Sequence, residues 1–269
     1  MKKLFYDLET TGLDKKECGI HQISGCIEIN GEIKEYFDFK LRPINGCKIE
    51  DGAIHLLNQR GITLDTILEY PDPAKTFTEF KKLLGKYVSK YNPSDKFHLC
   101  GYNNRSFDDD FLRNFFIKMQ DKYFGSFFWQ NTIDVMSTAS DFLAEVRHML
   151  PNFKLTTVAS FLMLEVDSSR LHDAEYDIEL THLIYTIARS GIKVSEYLVK
   201  MDNLRYEYDS CLNDHGYIDC EMVPTQIPVK DRVLQVLKKT ESEFLESIEL
   251  VDKEQEEEEE NGPKLSFLK

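Results

Sequence analysis

The chain begins with an apolar run, Leu4-Phe5-Tyr6, that gives way to a polar loop at Thr10-Thr11-Gly12. Aromatic and aliphatic residues bounded by turn formers predict a buried β-strand. Gln22 to Ile29 predicts a second strand, Asn30-Gly31 a two-residue hairpin turn, and Glu32 to Leu41 a third strand. The start is therefore a three-stranded antiparallel unit. The period then changes. Ala53 to Gln59 and Thr63 to Leu68 predict short helices, and Pro71 and Pro73 break the pattern. From Thr76 to Lys90, Phe77, Phe80, Leu83, Leu84, Tyr87 and Val88 recur at the spacing of an amphipathic helix.

Phe97-His98-Leu99-Cys100-Gly101 predicts a compact strand, and Phe111, Leu112, Phe115, Phe116 and Met119 mark one face of the next helix. Asn131 to Val135 predicts another short strand, Leu155 to Leu164 a helix, and about Asp173 to Arg189 a long one. Strands followed by alternating strands and helices predict an α/β domain over residues 1–190. Val194 to Arg205 predicts a short helix beyond it. The stripe Val229, Val233, Val236, Leu237, Phe244, Leu245 and Ile248 predicts another, so 191–250 reads as a small helical extension. Residues 251–269 hold seven acids against three lysines and read as an acidic, disordered tail. Its final apolar cluster, Leu265-Ser266-Phe267-Leu268, has the form of a docking peptide or of a frayed terminus.

Composition narrows the class without choosing the chemistry. A chain of 269 residues, 42% hydrophobic, can bury a full α/β core and still carry an appendage. The six cysteines form no C-x-x-C pair, which leaves neither a zinc nor a redox motif and fits reduced thiols in a cytoplasmic protein. Asp7 and Glu9 interrupt the opening apolar run at once, so it is no secretion signal, and no stretch is long enough to span a bilayer. The net charge of -14 opposes nucleic-acid binding by bulk electrostatics. Local arrangement must carry any such function, and cations bound to clustered carboxylates would lower the negative charge.

The candidate chemistry starts in the first strand. Alternate strand residues share a face, so Asp7 and Glu9 project together at the strand's carboxyl end. Paired carboxylates repel, and a divalent cation is the usual remedy; the alternative is a solvated strand end with two charges. In Gly101 to Leu112 a strand gives way to a helix through a polar loop, and Asp108, Asp109 and Asp110 fall where a helix dipole favours acids. Ordinary N-terminal capping accounts for Asp109 and Asp110, while Asp108 stands within the pattern Asn104-x-x-Phe107-Asp108. His172 precedes the long helix and Asp177 lies early in it. A histidine beside a fixed carboxylate suits general-base work. His182, inside that helix, reads as a surface residue.

These stretches, in this order, resemble the DEDD superfamily of 3′-to-5′ exonucleases, which includes polymerase proofreading subunits, RNase T and oligoribonuclease. Asp7-x-Glu9-Thr10-Thr11-Gly12 matches the first motif, Asn104-x-x-Phe107-Asp108 the second, and His172-x-x-x-x-Asp177 the third in its histidine version. Asp173 stands where the tyrosine version would carry Tyr. Gly101-Tyr102-Asn103-Asn104, Arg113-Asn114 and Asp134-Val135-Met136 add a likeness to the nuclease domain of bacterial exonuclease I over roughly residues 1–190. Related enzymes often carry His-Gly-Ile-Thr where this chain has Arg60-Gly61-Ile62-Thr63. A guanidinium there can stack or meet phosphate.

The resemblance implies a ribonuclease H-like fold, a mixed sheet flanked by helices. It implies Mg2+ or Mn2+, two ions per site, held by Asp7, Glu9, Asp108 and Asp177, with Asp7 bridging them and His172 taking a proton from water. It places Thr10, Thr11, Gly12, Leu13, Asn104 and Phe107 against the substrate. The expected activity is release of nucleoside 5′-monophosphates from the 3′ end of single-stranded DNA. Exoribonuclease action and a non-catalytic nucleic-acid-binding module are the alternatives, the latter disfavoured because a pure binder has no need of clustered like charges. A protein partner for the C-terminal peptide, such as a sliding clamp, is a further expectation.

Overall fold

The computed structural model describes residues 1–167, 170, 174–213 and 231–238. His172 and the tail 251–269 fall outside the described residues. The chain forms two compact units, Met1–Ala188 and Arg189–Lys269. In the first, β1 (Lys2–Thr10), β2 (Ile20–Ile29), β3 (Glu32–Lys40), β4 (Phe97–Gly101) and β5 (Ile133–Asp134) form one sheet in the order β3-β2-β1-β4-β5. β1–β2 and β2–β3 are antiparallel, while β1–β4 and β4–β5 are parallel. The helices are α1 (Asp51–Gln59), α2 (Leu64–Leu68), α3 (Pro73–Tyr87), α4 (Asp108–Lys118), α5 (Phe124–Phe127), α6 (Val135–Phe142), α7 (Leu155–Phe161) and α8 (Ala174–Ala188).

The two faces of β1 meet different helices, and this positions the site. Leu4, Tyr6 and Leu8 enter a core shared with Phe77, Phe80 and Leu84 of α3 and with Phe111, Leu112, Phe115 and Phe116 of α4. Phe5 faces the other way, its ring edge-on to His182 and Tyr185 of α8. Lys3, on the Phe5 face, bonds the buried Glu28 carboxylate, whose other oxygen is 2.9 Å from His182 Nε2. His182 is thus a partly buried anchor of α8 and not the surface residue expected. At Gly25 a Cβ would lie 2.2 Å from the Phe5 carbonyl oxygen and 2.4 Å from the Phe37 ring, so β2 has no room there for a side chain.

Two element boundaries differ from expectation for a local reason, and a third element is longer than expected. Pro73 opens α3 at its first turn, with Asp72 accepting from the Ala74 amide, where a break was expected. Val135 begins α6 because the Asp134 carboxylate caps the Met136 and Ser137 amides, which cuts the expected strand to two residues. In the second unit α9 runs from Val194 to Asn213, well beyond the expected end at Arg205. Residues 231–238 of that unit are also helical, with Val233 and Val236 buried. Among the described residues no helix is long and apolar enough to cross a membrane.

Candidate active site

Asp7 and Glu9 occupy the β1 face that packs towards α8, at the strand's carboxyl end. Asp177 is the fourth residue of α8, so its first turn arrives beside them. β4 runs parallel to β1, and the loop that leaves its carboxyl end leads into Asp108, the first residue of α4. The buried Asp108 carboxylate accepts from the Leu8 amide, which ties the helix start to β1. Crevices beyond the carboxyl ends of parallel strands are common ligand sites. Here four acids from three elements meet in one.

Their electrostatics register the crowding. Burial, then the charges of Asp108, Glu9 and Asp177, push the Asp7 carboxyl well above the usual range, against a lowering influence from Arg60. Burial likewise pushes Asp108 up to about 7, helped by Asp109 and Glu9 and opposed by the Leu8 amide. Asp109 is spent elsewhere, accepting from Tyr6 Oη at 2.6 Å and Asn104 Nδ2 at 2.9 Å. Asp110 pairs with Lys15. Both acids therefore make tertiary contacts where simple capping was expected. The cation at the cluster is Arg60, whose Nη1 lies 2.5 Å from Glu9 Oε1.

Four hard oxygen donors of like charge, two of them, Asp7 and Asp108, disfavoured as ions by burial, suit a divalent ion such as Mg2+ or Mn2+. Among the described residues, no group of three or more His, Cys, Asp or Glu side chains is arranged to hold one ion, and one Glu9 oxygen is engaged by Arg60. The donor set fits the metal in its chemistry.

The loop after β1 is stapled from within. Thr11 is buried, donating to the Lys48 carbonyl at 2.7 Å and accepting from the Gly19 amide at 2.9 Å. Thr10 closes on the Gly12 carbonyl at 2.8 Å. A Cβ on Gly12 would come within 2.6 Å of Cys18 Sγ and of the Glu50 side chain, so the protein itself fills that space. Leu13 projects, 79% exposed, with its amide on Glu50 Oε2. Beside Glu9 lies a cavity of about 360 Å3, lined by Leu13, Leu56, Arg60, Phe107 and His21 among others. Of the residues expected at the substrate, Thr10, Gly12, Leu13 and Phe107 border this cavity. Thr11 and Asn104 do not. Asn104 is fully buried beneath the loop, its side chain against Gly101 and Asp109.

The sequence singles out Arg60 as a group that can stack or meet phosphate, but its carboxylate partner and the place of His21 escape such a reading. Arg60 engages Glu9 across 51 residues, and no local pattern announces that pair. His21 lies buried at the cavity with its Nδ1 unpartnered, and burial, then the Arg60 charge, push its imidazole down to about 4. Its place in β2, among apolar neighbours, gave no signal of a site.

Comparison with known proteins gives a family and a fold. The RNase_T family model, described as an exonuclease, matches residues 4–185. No curated protein matches. Similar solved structures include an exonuclease I described as suggesting how processivity is achieved (TM-score 0.55, 20% identity, covering 76% of this chain and 44% of that one). The E. coli exonuclease I complex with a dT13 oligonucleotide gives 0.55 at 21% identity, covering 78% of this chain and 45% of that one. The zinc-bound E. coli exonuclease I–ssDNA complex gives 0.54 at 19% identity, with the same coverage. The chain spans less than half the length of these relatives. At such identities the likeness establishes a shared fold, the mixed sheet flanked by helices.

Proposed function

Starting from a chain that belongs to the RNase_T exonuclease family, we propose that it removes nucleoside 5′-monophosphates from the 3′ end of single-stranded nucleic acid, DNA in preference to RNA. What carries this is the crowding of Asp7 by the charges of Asp108, Glu9 and Asp177 at the carboxyl end of β1, with Asp108 itself buried, an arrangement that costs stability unless a cation is used there. Exonuclease membership implies dependence on a divalent metal. Asp7, Glu9, Asp108 and Asp177 would hold it, with Asp7 central to the other three. Mg2+ or Mn2+, as a pair when bound, supplies charge stabilisation to both the attacking and the leaving oxygen of an in-line displacement.

The remaining work falls to side chains of the chain. His172 accepts a proton from the attacking water as general base. Leu13 and Phe107 offer apolar surface to the terminal base across the 360 Å3 cavity, a contact tolerant of sequence. Asn104, being buried, acts through Asp109 and the loop it supports. The preference for DNA is supported by the likeness to exonuclease I, which is described bound to a dT13 oligonucleotide. A competition assay tests it: DNA and RNA of one sequence digested together with Mg2+. Faster loss of the DNA is expected, and faster loss of the RNA would assign the chain to RNA trimming. Asp7→Asn should lower turnover by at least about a thousandfold if Asp7 acts in stabilising the reaction's charge, with its circular dichroism spectrum unchanged; retained turnover would remove Asp7 from the mechanism.

A further inference from the structure

The end of the sheet opposite the acidic cluster has the opposite character. Between Lys75 and Lys96 there are six lysines against two acids, in a chain whose net charge is -14. Four of them, Lys81, Lys82, Lys86 and Lys90, line an open groove of about 710 Å3 formed by the carboxyl half of α3, the segment after it and residues 121–127. Both acids in the groove are already engaged. Asp95 accepts from Lys2 Nζ and from the Ser89 amide. Asp121 accepts from Lys81 Nζ at 2.7 Å and from the Tyr123 amide at 2.7 Å. Lys86 is shared with Glu35, while Lys82 and Lys90 are exposed and form no ion pair among the described residues, although the Lys90 charge acts on Asp121. The surplus is positive.

Aromatic rings are interleaved with this charge. Lys86 Nζ lies 5.0 Å from the centre of the Tyr87 ring, Lys90 5.2 Å from Tyr91, and Lys122 5.7 Å from Tyr123. Tyr91 is 86% and Tyr123 54% exposed, an unusual commitment of large rings to water. Lysines beside exposed rings are what an unstructured strand requires, phosphates meeting the ammonium groups and unstacked bases the ring faces. An acidic peptide would use the lysines and leave the tyrosine faces idle.

We propose that this groove is a second binding site for single-stranded nucleic acid, remote from the catalytic end. Lys2 opens β1 and donates to the Tyr87 carbonyl at the groove, while Asp7 lies five residues further along the same strand. At the rise of an extended strand the Cα atoms of Lys2 and Asp7 are about 16 Å apart. The groove thus engages nucleotides well back from the reacting end. It counters the repulsion that an acidic protein exerts on a polyanion.

The test is binding of labelled single strands of about 4 and about 20 nucleotides to the full chain in EDTA, followed by fluorescence anisotropy. The longer strand should bind roughly tenfold more tightly, and Lys82→Glu with Lys90→Glu should erase that advantage and flatten its salt dependence. Tyr91→Ala should weaken the long strand about threefold with the melting temperature unchanged, which a merely structural role would not allow. Unaltered long-strand affinity in the double variant would overturn the site. Displacement of the long strand by polyglutamate at equal or lower concentration would also overturn it, in favour of an acidic protein partner. The outcome is separable from the proposed activity: groove-dependent binding without Mg2+-dependent cleavage would reject the activity alone, and cleavage with groove-independent binding would reject this site alone.

Discussion

At the scale of single residues, the site is held in tension between charges that repel and one that restrains them. Asp108 is buried, pushed up to about 7, and anchored by the Leu8 amide. Asn at that position keeps an acceptor for the amide and removes the charge. Asp108→Asn should therefore stabilise the ion-free protein by about 1–2 kcal/mol while abolishing cleavage. Urea unfolding in EDTA reads this directly, and a loss of stability would show that the repulsion is not a net cost. Arg60 is the restraint, its guanidinium on Glu9 at 2.5 Å. A divalent ion held by Glu9, as proposed, would share that carboxylate with a fixed positive charge. Arg60→Gln should raise Mn2+ affinity about tenfold, or about 1.4 kcal/mol, in a titration without substrate. Weaker binding in the variant would mean that Arg60 orients Glu9 for the ion.

At the scale of elements, α8 matters because it brings Asp177 to β1, and its seat is polar as well as aromatic. Glu28 resists ionisation through burial, yet bonds from His182 and Lys3 and the Lys3 charge hold its carboxyl down at about 2. A carboxyl depressed from 4.5 to about 2 on folding stabilises the fold above pH 4.5, and that contribution fades as pH falls through 2. Wild type should lose about 3 kcal/mol more than Glu28→Gln between those pH values, measured by urea unfolding. Equal losses in the two proteins would leave Glu28 without this role.

The same elements show what a sequence can disclose. β1, β2 and β3 were legible because strand alternation and Asn30-Gly31 are local signals. Asp7 and Glu9 followed from a period of two, whereas Asp108 and Asp177 were found only through the family's motifs. Short-range capping decided what periodicity missed: Asp72 starts α3 at Pro73, and Asp134 turns Val135 into a helix. Arg60 on Glu9, His182 on Glu28 and the burial of Asn104 stayed hidden, since each depends on segments that meet only after folding.

At the scale of the whole molecule, charge is sorted along the first unit. Carboxylates gather at the carboxyl ends of β1 and β4, and lysines gather near the amino end of β1, whose Lys2 lies about 16 Å of strand rise from Asp7. An overall charge of -14 conceals this polarity. Under the proposed activity such an arrangement would attract a polyanion at one end and process it at the other once cations fill the acidic end. Directional, metal-dependent trimming is read from a 5′-labelled single-stranded oligonucleotide, digested with Mg2+ and with EDTA and resolved by length. A ladder of labelled products shortening progressively from the 3′ end in Mg2+, and intact strand in EDTA, is the predicted result. Immediate release of the label, internal cuts, or equal cleavage in EDTA would contradict it.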